Sequence, residues 1–297
     1  TEYGYGRSPA VVTQRELEAR LAGGALGKPE MVVMVQCVGS RDDERPYCSR
    51  VCCTEALKNA LAIKKQNPAT NVVILYRDMR SYGFQEAYYT EARRQGVLFM
   101  RYTRDLPPRV EIAGDGGRPV VIVREPLLRR DVRIPADLLV LSMAMVPNPD
   151  NAVLAQMLKV PLSEDGFFLE AHMKLRPVDF ATEGIFLCGL AHAPKLIDEA
   201  IAQGEAAAAR AAVVLAHDAL ETAGQVSRIN AALCKGCGVC IAMCPYKAIT
   251  LDEVKHVAVV NAALCKGCGI CSSSCRCGAP DIGGFTQEEI LAQLASV

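Results

Sequence analysis

Cysteine is the residue through which this chain can do chemistry, and its placement is uneven. Fourteen cysteines stand among 297 residues. Cys37, Cys48, Cys52 and Cys53 lie in CVGSRDDERPYCSRVCC (37–53), four more lie in 234–244, and four in 265–275, which leaves Cys188 and Cys277 outside the groups. A thiolate is a nucleophile, a redox centre or a soft metal ligand. Thiols scattered through a core would not gather this way. The start, TEYGYGRSPAVV, lacks the apolar stretch of a secretion signal, so metal binding or redox work is favoured over a disulfide scaffold.

NAALCKGCG occurs at 230–238 and again at 261–269, a duplicated unit. Each copy reads C-x2-C-x2-C with a fourth cysteine after three more residues, the run of two-cluster bacterial ferredoxins. A short loop can wrap three thiolates round three corners of one iron–sulfur cube. Gly236, Gly238, Gly267 and Gly269 allow the tight backbone and the approach of amides to sulfur. The fourth cysteine is expected to open a helix and reach the other cube. Cys234, Cys237, Cys240 and Cys275 are therefore assigned to one 4Fe–4S cluster, and Cys265, Cys268, Cys271 and Cys244 to a second. Pro245 closes the first run. In the second, Arg276 takes that place and Cys277 is spare, with Cys275 preferred as the ligand by spacing. Structural zinc also uses C-x2-C pairs, but four cysteines in one run, twice over, suit cubes better.

The elements that must hold the first cysteine group alternate in type. MVVMVQCV (31–38) reads as a buried strand, TEALKNALAIKKQ (54–66) as a helix, NVVILYRD (71–78) as a strand, GFQEAYYTEARRQG (83–96) as a helix and VLFMRY (97–102) as a third strand. This β-α-β-α-β order argues a parallel sheet. RVEIA, PVVIVRE and DLLVLSMAMV add strands, with an antiparallel hairpin over GDGG (114–117). In this arrangement the thiols of 37–53 follow the first strand, where many α/β proteins keep a phosphate-binding glycine loop. Cys48, Cys52 and Cys53 come at the start of a helix, whose free amides and positive field suit an anion. A thiolate-ligated cube is such an anion, so a third 4Fe–4S cluster on Cys37, Cys48, Cys52 and Cys53 is expected in place of nucleotide phosphates. Adjacent cysteines can ligate one cube only on a bent backbone. A disulfide or two buried free thiols are the plainer alternatives, though neither explains all four together.

Farther along, TEGIFLCG (182–189) followed by the small-residue helix IAQGEAAAARAA (201–212) resembles the C-terminal half of an FAD domain of the thioredoxin-reductase class. The expectation is a strand ending at Gly189, backbone close to a flavin, and a helix N-terminus facing the flavin edge that carries negative charge when reduced. The flavin-side residues are then Gly189, Leu190, Ala191, His192 and Lys195. Leu190 departs from the pattern, because that class places an Asp after this glycine; His192 and Lys195 are candidates to supply polar contacts instead. An Ala-rich core helix after a buried strand is the bland alternative. The ADP-binding G-x-G-x-x-G of such a domain is not found: GYGRSP (4–9) has Pro9 in the third glycine slot, and GDGG lacks the spacing. The expectation is that FAD is shared with a further segment or a partner chain, so that the isolated chain holds it poorly. Beginning at Thr1, the sequence reads as processed, excerpted or one piece of a longer polypeptide.

The cysteine pair, the flavin-side GIFLCGLAHAPKLIDEAI and the terminal ferredoxin run, in that order, resemble the A-type subunit of heterodisulfide reductase and its relatives, from about residue 30 onward. The resemblance implies a flavin that splits electron pairs between a high-potential acceptor and low-potential ferredoxin, and a lysine near flavin N5 for which Lys58 is the matching position. It implies partners of the heterodisulfide reductase B and C type, hydrogenase or formate dehydrogenase modules, and ferredoxin. The fold class expected is a three-layer Rossmann-like α/β domain of the thioredoxin-reductase type with a partial FAD domain, followed by an α+β two-cluster ferredoxin domain. Residues 1–30 are read as an N-terminal segment and linker, 31–145 as the α/β domain carrying a cluster, 146–222 as half of an FAD domain, 223–283 as the ferredoxin domain and 284–297 as a C-terminal helix. LETAGQVS (220–227) reads as a tether, Cys188 as a small buried residue, and Thr286 with Glu289 as a helix capping box.

Composition adds exclusions. With 33 basic and 33 acidic residues the formal charge is zero, which gives no case for nucleic acid. The longest apolar run, LLVLSMAMV, is half of the roughly 18 residues a membrane span needs, and the protein is expected in the cytoplasm. The function expected is an iron–sulfur flavoprotein oxidoreductase subunit that moves electrons between FAD and three 4Fe–4S clusters in flavin-based bifurcation. The alternatives are a non-bifurcating wire of a quinone-interacting complex and a scaffold with vestigial clusters.

Overall fold

The computed structural model describes residues 2–114, 116–126, 128–218, 225–262 and 264–296. It contains two compact units. One comprises Thr1–Gln156, Val160–Val178 and Leu187–Ala207, the other Met157–Lys159, Asp179–Phe186 and Ala208–Val297.

In chain order the first unit holds β1 (Val11–Thr13), α1 (Gln14–Ala22), β2 (Met31–Val38), α2 (Cys52–Gln66), β3 (Asn71–Tyr76), α3 (Glu86–Arg94), β4 (Leu98–Arg101), β5 (Arg109–Ile112), β6 (Pro119–Glu125), β7 (Arg130–Pro135) and β8 (Leu138–Met143). Five strands pair in the order β1-β8-β2-β3-β4, and every pairing is parallel. The near-continuous apolar run of β2 is what a strand buried on both faces requires. Successive side chains alternate between faces. Val32 and Met34 therefore join Leu17, Leu57, Ala60, Ile63 and Ala92 of the three helices. Val33 and Val35 face Val121, Val123 and Ile134 of β6 and β7. The antiparallel meander β5-β6-β7 is thus a third layer, and the unit is helices, parallel sheet and antiparallel sheet. The expected turn over 114–117 includes Asp115, which lies outside the described residues, but the hairpin strands on either side of it pair as expected.

Two expectations change. Residues 11–22, within the stretch read as an N-terminal segment and linker, form a strand and a helix of the first unit. Val11–Thr13 pair with Leu139–Leu141 as the edge strand, and α1 begins at once with Thr13 and Glu16 in a capping box. A β-α step with no loop needs only an N-cap at the last strand residue, and Thr13 supplies it. A buried polar network then ties this piece in: Gln14 Nε2 donates to Ser142 Oγ at 3.1 Å, and Asn59 Nδ2 donates to Gln14 Oε1 at 2.8 Å. TEGIFLCG is the second change. It forms a single bridge, Asp179 to Phe186, because extended backbone becomes strand only where a neighbour accepts its ladder hydrogen bonds.

The remaining helices of the sequence's middle are α4 (Asn151–Leu158) and α5 (Ile197–Leu215). The second unit then holds β9 (Ser227–Ile229), α6 (Val239–Met243), β10 (Ile249–Asp252), β11 (Val257–Val260), α7 (Ile270–Ser274), β12 (Pro280–Ile282) and α8 (Gln287–Ala295). β9 pairs with β12 and β10 with β11, both antiparallel. α8 carries the expected capping box of Thr286 and Glu289. Residues 220–224 of the expected tether lie outside the described residues. Among the described residues no helix is long and apolar enough to cross a membrane.

Leu57 projects from α2 into the helix-side core and is 0% exposed. Leu57→Ala is expected to lower stability by about 2–5 kcal/mol, the range for a truncated buried leucine. Denaturant titration of the chain measures it, and a loss under about 1 kcal/mol would contradict this packing.

Candidate metal centres and cofactor edge

The ferredoxin repeat builds two matching cradles. In each, a loop ends in a glycine with positive φ, Gly238 (76°) or Gly269 (78°), which caps a one-turn helix carrying the third cysteine, Cys240 or Cys271. The fourth cysteine does not open a helix as expected: Cys244 and Cys275 are the C-caps of α6 and α7. Pro245 suits the extended backbone of Cys244, and Cys275 takes the same conformation before Arg276. One cavity of about 490 Å³ is lined by Cys234, Cys237 and Cys240 together with Cys275 and Cys277. A second, much smaller at about 20 Å³, is lined by Cys265, Cys268, Cys271 and Cys244. The cysteines therefore meet crosswise, each fourth cysteine beside the first three of the other run.

Backbone amides point at these sulfurs. Cys234 Sγ accepts from Ala258 N at 3.4 Å, and Cys265 Sγ from Ser227 N at 3.3 Å. Cys244 Sγ accepts from Ala248 N at 3.3 Å. The amides of Ala279, Cys277 and Gly278 hold the Cys275 thiol below its ordinary pKa. Cys275 thus has an amide cradle like that of Cys244, and the Cys277 amide is part of it. Among the described residues no three Cys, His, Asp or Glu groups converge as they would on a single ion. Thiols spaced round a hollow, apolar walls from Ile229, Val239 and Ala258, and amides aimed at sulfur fit an iron–sulfur cluster.

The loop after β2 is held differently. The β2–β8 register slips between Val35 and Val38, and Cys37 takes φ +61°, a left-handed conformation rare outside glycine. Arg77 closes the loop over the end of β3: its Nη1 donates to Arg41 O at 2.9 Å and its Nη2 to Ser40 O at 2.8 Å. Ser49 Oγ accepts from Met145 N at 2.9 Å, and Tyr47 Oη donates to Met145 O at 2.9 Å. α2 then starts at Cys52 with no side-chain cap on its amides. Cys52 and Cys53 are buried, and Cys37 and Cys48 partly so. The four thiols sense one another. Cys52 is pushed up by its hydrogen bond to Cys53, by burial, and by Cys53, Cys37 and Cys48. Cys53 is drawn down to about 7, chiefly by the Cys52 hydrogen bond. Burial raises Cys37, and Arg77 opposes it. Arg41 lies against Cys37 at 4.0 Å and is anchored by Asp78 at 2.6 Å. Four thiols with guanidinium groups beside them suit an anionic cube.

Arg50, between Cys48 and Cys52, carries no signal in the sequence, yet it ties the thiol loop to a distant segment. Also at positive φ, +61°, it donates to Pro194 O at 3.2 Å and to Glu199 Oε1 at 2.5 Å, and it meets Tyr82 Oη. Tyr82 Oη also lies 3.0 Å from Glu199 Oε1. The thiol loop is thereby fastened to the segment holding Gly189, Leu190, Ala191, His192 and Lys195. That segment makes a single helical turn at Gly189–Ala191. Gly189 has φ +66°, and a Cβ there would meet nothing within 4 Å. Leu190 and Ala191 are exposed, whereas Lys195 is buried. Cys188, expected in a core, is exposed, since its segment is not a sheet strand. Lys58 stands on the exposed face of α2 with its ammonium on Glu18 of α1. Among the described residues no hydrogen bond or ion pair joins it to 189–195.

Residues 233–279 match the family model of the 4Fe-4S dicluster domain, so the second unit is a two-cluster ferredoxin domain that binds 4Fe–4S clusters. Three relatives extend the likeness across the chain. It is 43% identical over 279 residues to the iron-sulfur A-type subunit 2 of CoB--CoM heterodisulfide reductase from Methanopyrus kandleri, covering 85% of this chain and 40% of that protein. It is 40% identical over 278 residues to the A-type subunit of H(2):CoB-CoM heterodisulfide,ferredoxin reductase from Methanothermobacter thermautotrophicus, with the same coverage. With the heterodisulfide reductase A-subunit-like protein of Archaeoglobus profundus it shares 40% identity over 295 residues, 95% of this chain and 39% of that one. The chain belongs to the family of heterodisulfide reductase A-type subunits over this shared stretch, and it spans about two-fifths of the length of these relatives. A superposition on T. acidophilum thioredoxin reductase has TM-score 0.47 at 16% identity, covering 72% of this chain and 60% of that one, a likeness too slight to argue from.

A Cβ on Gly236 would sit 2.4 Å from His256 O, whereas one on Gly238 would meet nothing within 4 Å. Gly236→Ala is therefore expected to abolish the signal of one cluster, and Gly238→Ala to cost about 1 kcal/mol of backbone strain with the cluster retained. Iron content and low-temperature electron paramagnetic resonance distinguish them. Equal loss in both variants would contradict the geometry.

Proposed function

We propose that the chain is the iron–sulfur flavoprotein portion of a heterodisulfide-reductase-like complex, with three 4Fe–4S clusters and an FAD. The observation that carries the proposal is the gathering of Cys37, Cys48, Cys52 and Cys53 at the end of β2 and the start of α2, with Arg50 of that loop fastened to the 189–199 segment. In parallel sheets this is the position of a nucleotide's phosphates. Here sulfur ligands and guanidinium groups take it over. The ligand sets we assign are Cys37, Cys48, Cys52 and Cys53; Cys234, Cys237, Cys240 and Cys275; and Cys265, Cys268, Cys271 and Cys244.

The cofactors supply single-electron transfer and, at the flavin, exchange between paired and single electrons. The residues do the rest. Thiolates hold the cubes, while the amides of Ala258, Ser227, Ala248 and Ala279 stabilise charge on sulfur and so tune potential. Arg41 and Arg77 offset the negative charge of the first cube. Gly189, where a Cβ would meet nothing within 4 Å, would leave room for the flavin edge, and the positive N-terminus of α5 would suit it. Ile197, 80% exposed, and Ile201 offer apolar surface there for a cofactor to cover. Lys58 would approach the flavin by exchanging its partner Glu18 for the ring. The ADP-binding half of the FAD site we assign to sequence outside these residues, on the same polypeptide or on another.

The finer proposal is electron bifurcation. The relative from Methanothermobacter carries a name joining H(2) with CoB-CoM heterodisulfide and ferredoxin, and one from Methanococcus maripaludis a name joining H(2)/formate with the same pair. Redox subunits of the heterodisulfide reductase B and C type, a hydrogenase or formate dehydrogenase module, and ferredoxin are the partners that bifurcation requires.

The double variant Cys52→Ala with Cys53→Ala is expected to lose about four of about twelve irons per chain, one cubane's worth. The ferredoxin-domain signals should persist. Iron analysis with electron paramagnetic resonance measures both, and an unchanged iron content would remove the cluster at 37–53 from the proposal.

A further inference from the structure

The loop at Gly189–Lys195 holds a lysine in an unusual setting. Lys195 is 8% exposed. Its hydrogen-bond partner among the described residues is a histidine nitrogen: Nζ lies 3.2 Å from His192 Nδ1. The nearby carboxylates are engaged elsewhere. Glu199 binds Arg50 at 2.5 Å and accepts from Leu196 N at 2.9 Å. Glu170 Oε2 lies 2.8 Å from His192 Nε2. The charged and titratable groups round the ammonium are thus Arg50 from the thiol loop, Glu199 from α5, Glu170 and Cys188 from the flanking segments, and His192.

The protonation pattern of His192 follows from its neighbours. Gly189 N donates to Gln203 Oε1 at 2.8 Å, which fixes the amide orientation. Gln203 Nε2 is then the donor to His192 Nδ1, at 2.8 Å. Nδ1 faces two donors, Lys195 and Gln203, so it must accept. The ring proton is therefore on Nε2 and is donated to Glu170. Lys195 is left desolvated against a neutral nitrogen, with like-charged Arg50 close by. Burial and Arg50 both draw its pKa down.

We propose that Lys195 is an acid–base residue, oriented by the Glu170–His192–Gln203 chain, and that it exchanges one proton with a redox cofactor seated against Gly189–Lys195. That the cofactor is a flavin rests on the proposed function above. In the step, one Nζ–H bond of the ammonium breaks and the proton passes to the cofactor, whose electrons come from the iron–sulfur clusters. Lys195 becomes a neutral amine. It still has two N–H bonds, and one continues to donate to His192 Nδ1. The histidine keeps its tautomer and the loop its geometry in both states, so the free lone pair stays aimed to take the proton back.

The test uses the native assembly purified from its source, alongside assemblies carrying Lys195→Arg or Glu170→Gln. Acetic anhydride labels neutral amines, and mass spectrometry reads the labelling of each lysine across pH. The midpoint of the profile, rather than its height, reports the pKa whatever the accessibility. The Lys195 midpoint is expected below those of exposed lysines such as Lys159 and Lys255, and Glu170→Gln is expected to move it lower still. A midpoint shared with the exposed lysines overturns the acid–base role. In parallel, the flavin midpoint potential is followed against pH. It is expected to bend at the Lys195 midpoint in the native assembly and to lose that bend in Lys195→Arg, which keeps charge and donor but holds its proton. A bend that survives in Lys195→Arg, with flavin content unchanged, overturns the proton exchange. An assembly without flavin overturns the proposed function of this loop, while the labelling midpoint still decides the acid–base role.

Discussion

Four thiols packed together cannot all give up their protons unless positive charge comes among them. In the loop after β2 this conflict is visible in the residues. The hydrogen bond between them drives Cys52 up and its neighbour Cys53 down, with burial adding to the rise at Cys52. Each further thiolate would repel the last across a partly desolvated space. In the proposed reading an iron–sulfur cube would supply the missing cation, and Arg41 and Arg77 would accommodate the charge left over. The constraint accounts for much of the local structure: the left-handed Cys37, the β2 register slip, the uncapped start of α2, and Arg77 bracing the loop from β3. None of these favours an ordinary strand–helix connection. All of them help to bring separated cysteines to one place.

The ferredoxin unit meets the same electrostatic problem with backbone. Its cysteines carry amide hydrogen bonds in place of guanidinium partners, and the duplicated sequence repeats the arrangement, Cys234 against Ala258 and Cys265 against Ser227. Glycine is needed at Gly236 and Gly267 because a carbonyl oxygen occupies the space a side chain would take, His256 O in one copy and Gln225 O in the other. The two kinds of cradle offer sulfur different surroundings, charged side chains in one and neutral dipoles in the other. Were the same cofactor held in both, that difference would be a means of setting different potentials.

Within the α/β unit, Arg50 joins two chemistries that the sequence keeps far apart, 144 residues separating it from Pro194. Its backbone belongs to the thiol loop and its guanidinium to the 189–199 segment. Movement of one is therefore felt by the other. Beyond it, Lys195, His192, Gln203 and Glu170 form a hydrogen-bonded chain anchored on the Gly189 amide. Such a chain restricts its side chains, which would suit the proton exchange proposed for Lys195.

Much of this protein was legible in its residues alone. The strand at 31–38, the β-α-β-α-β order, the capping box at Thr286 and the grouping of cysteines all follow from short-range patterns: periodicity, end signals and loop spacing. The strand role of 11–13 was not legible, because three residues carry no periodicity and their partner β8 lies far along the chain. TEGIFLCG looked like a strand and is not one, because an apolar run reports burial but cannot report whether a neighbour exists to pair with it. The fourth ferredoxin cysteines end helices rather than open them, a matter of where Pro245 and the backbone turn. Which side chains could ligate, and how the duplicated loops wrap, was set along the chain, since both depend on residue type and spacing within one turn. Folding in three dimensions was needed for Cys37 to sense Cys53, for Arg50 to reach Glu199 and for Lys195 to be left against a neutral imidazole. Those contacts are made across the sheet and between loops, and desolvation and charge act through space rather than along the chain.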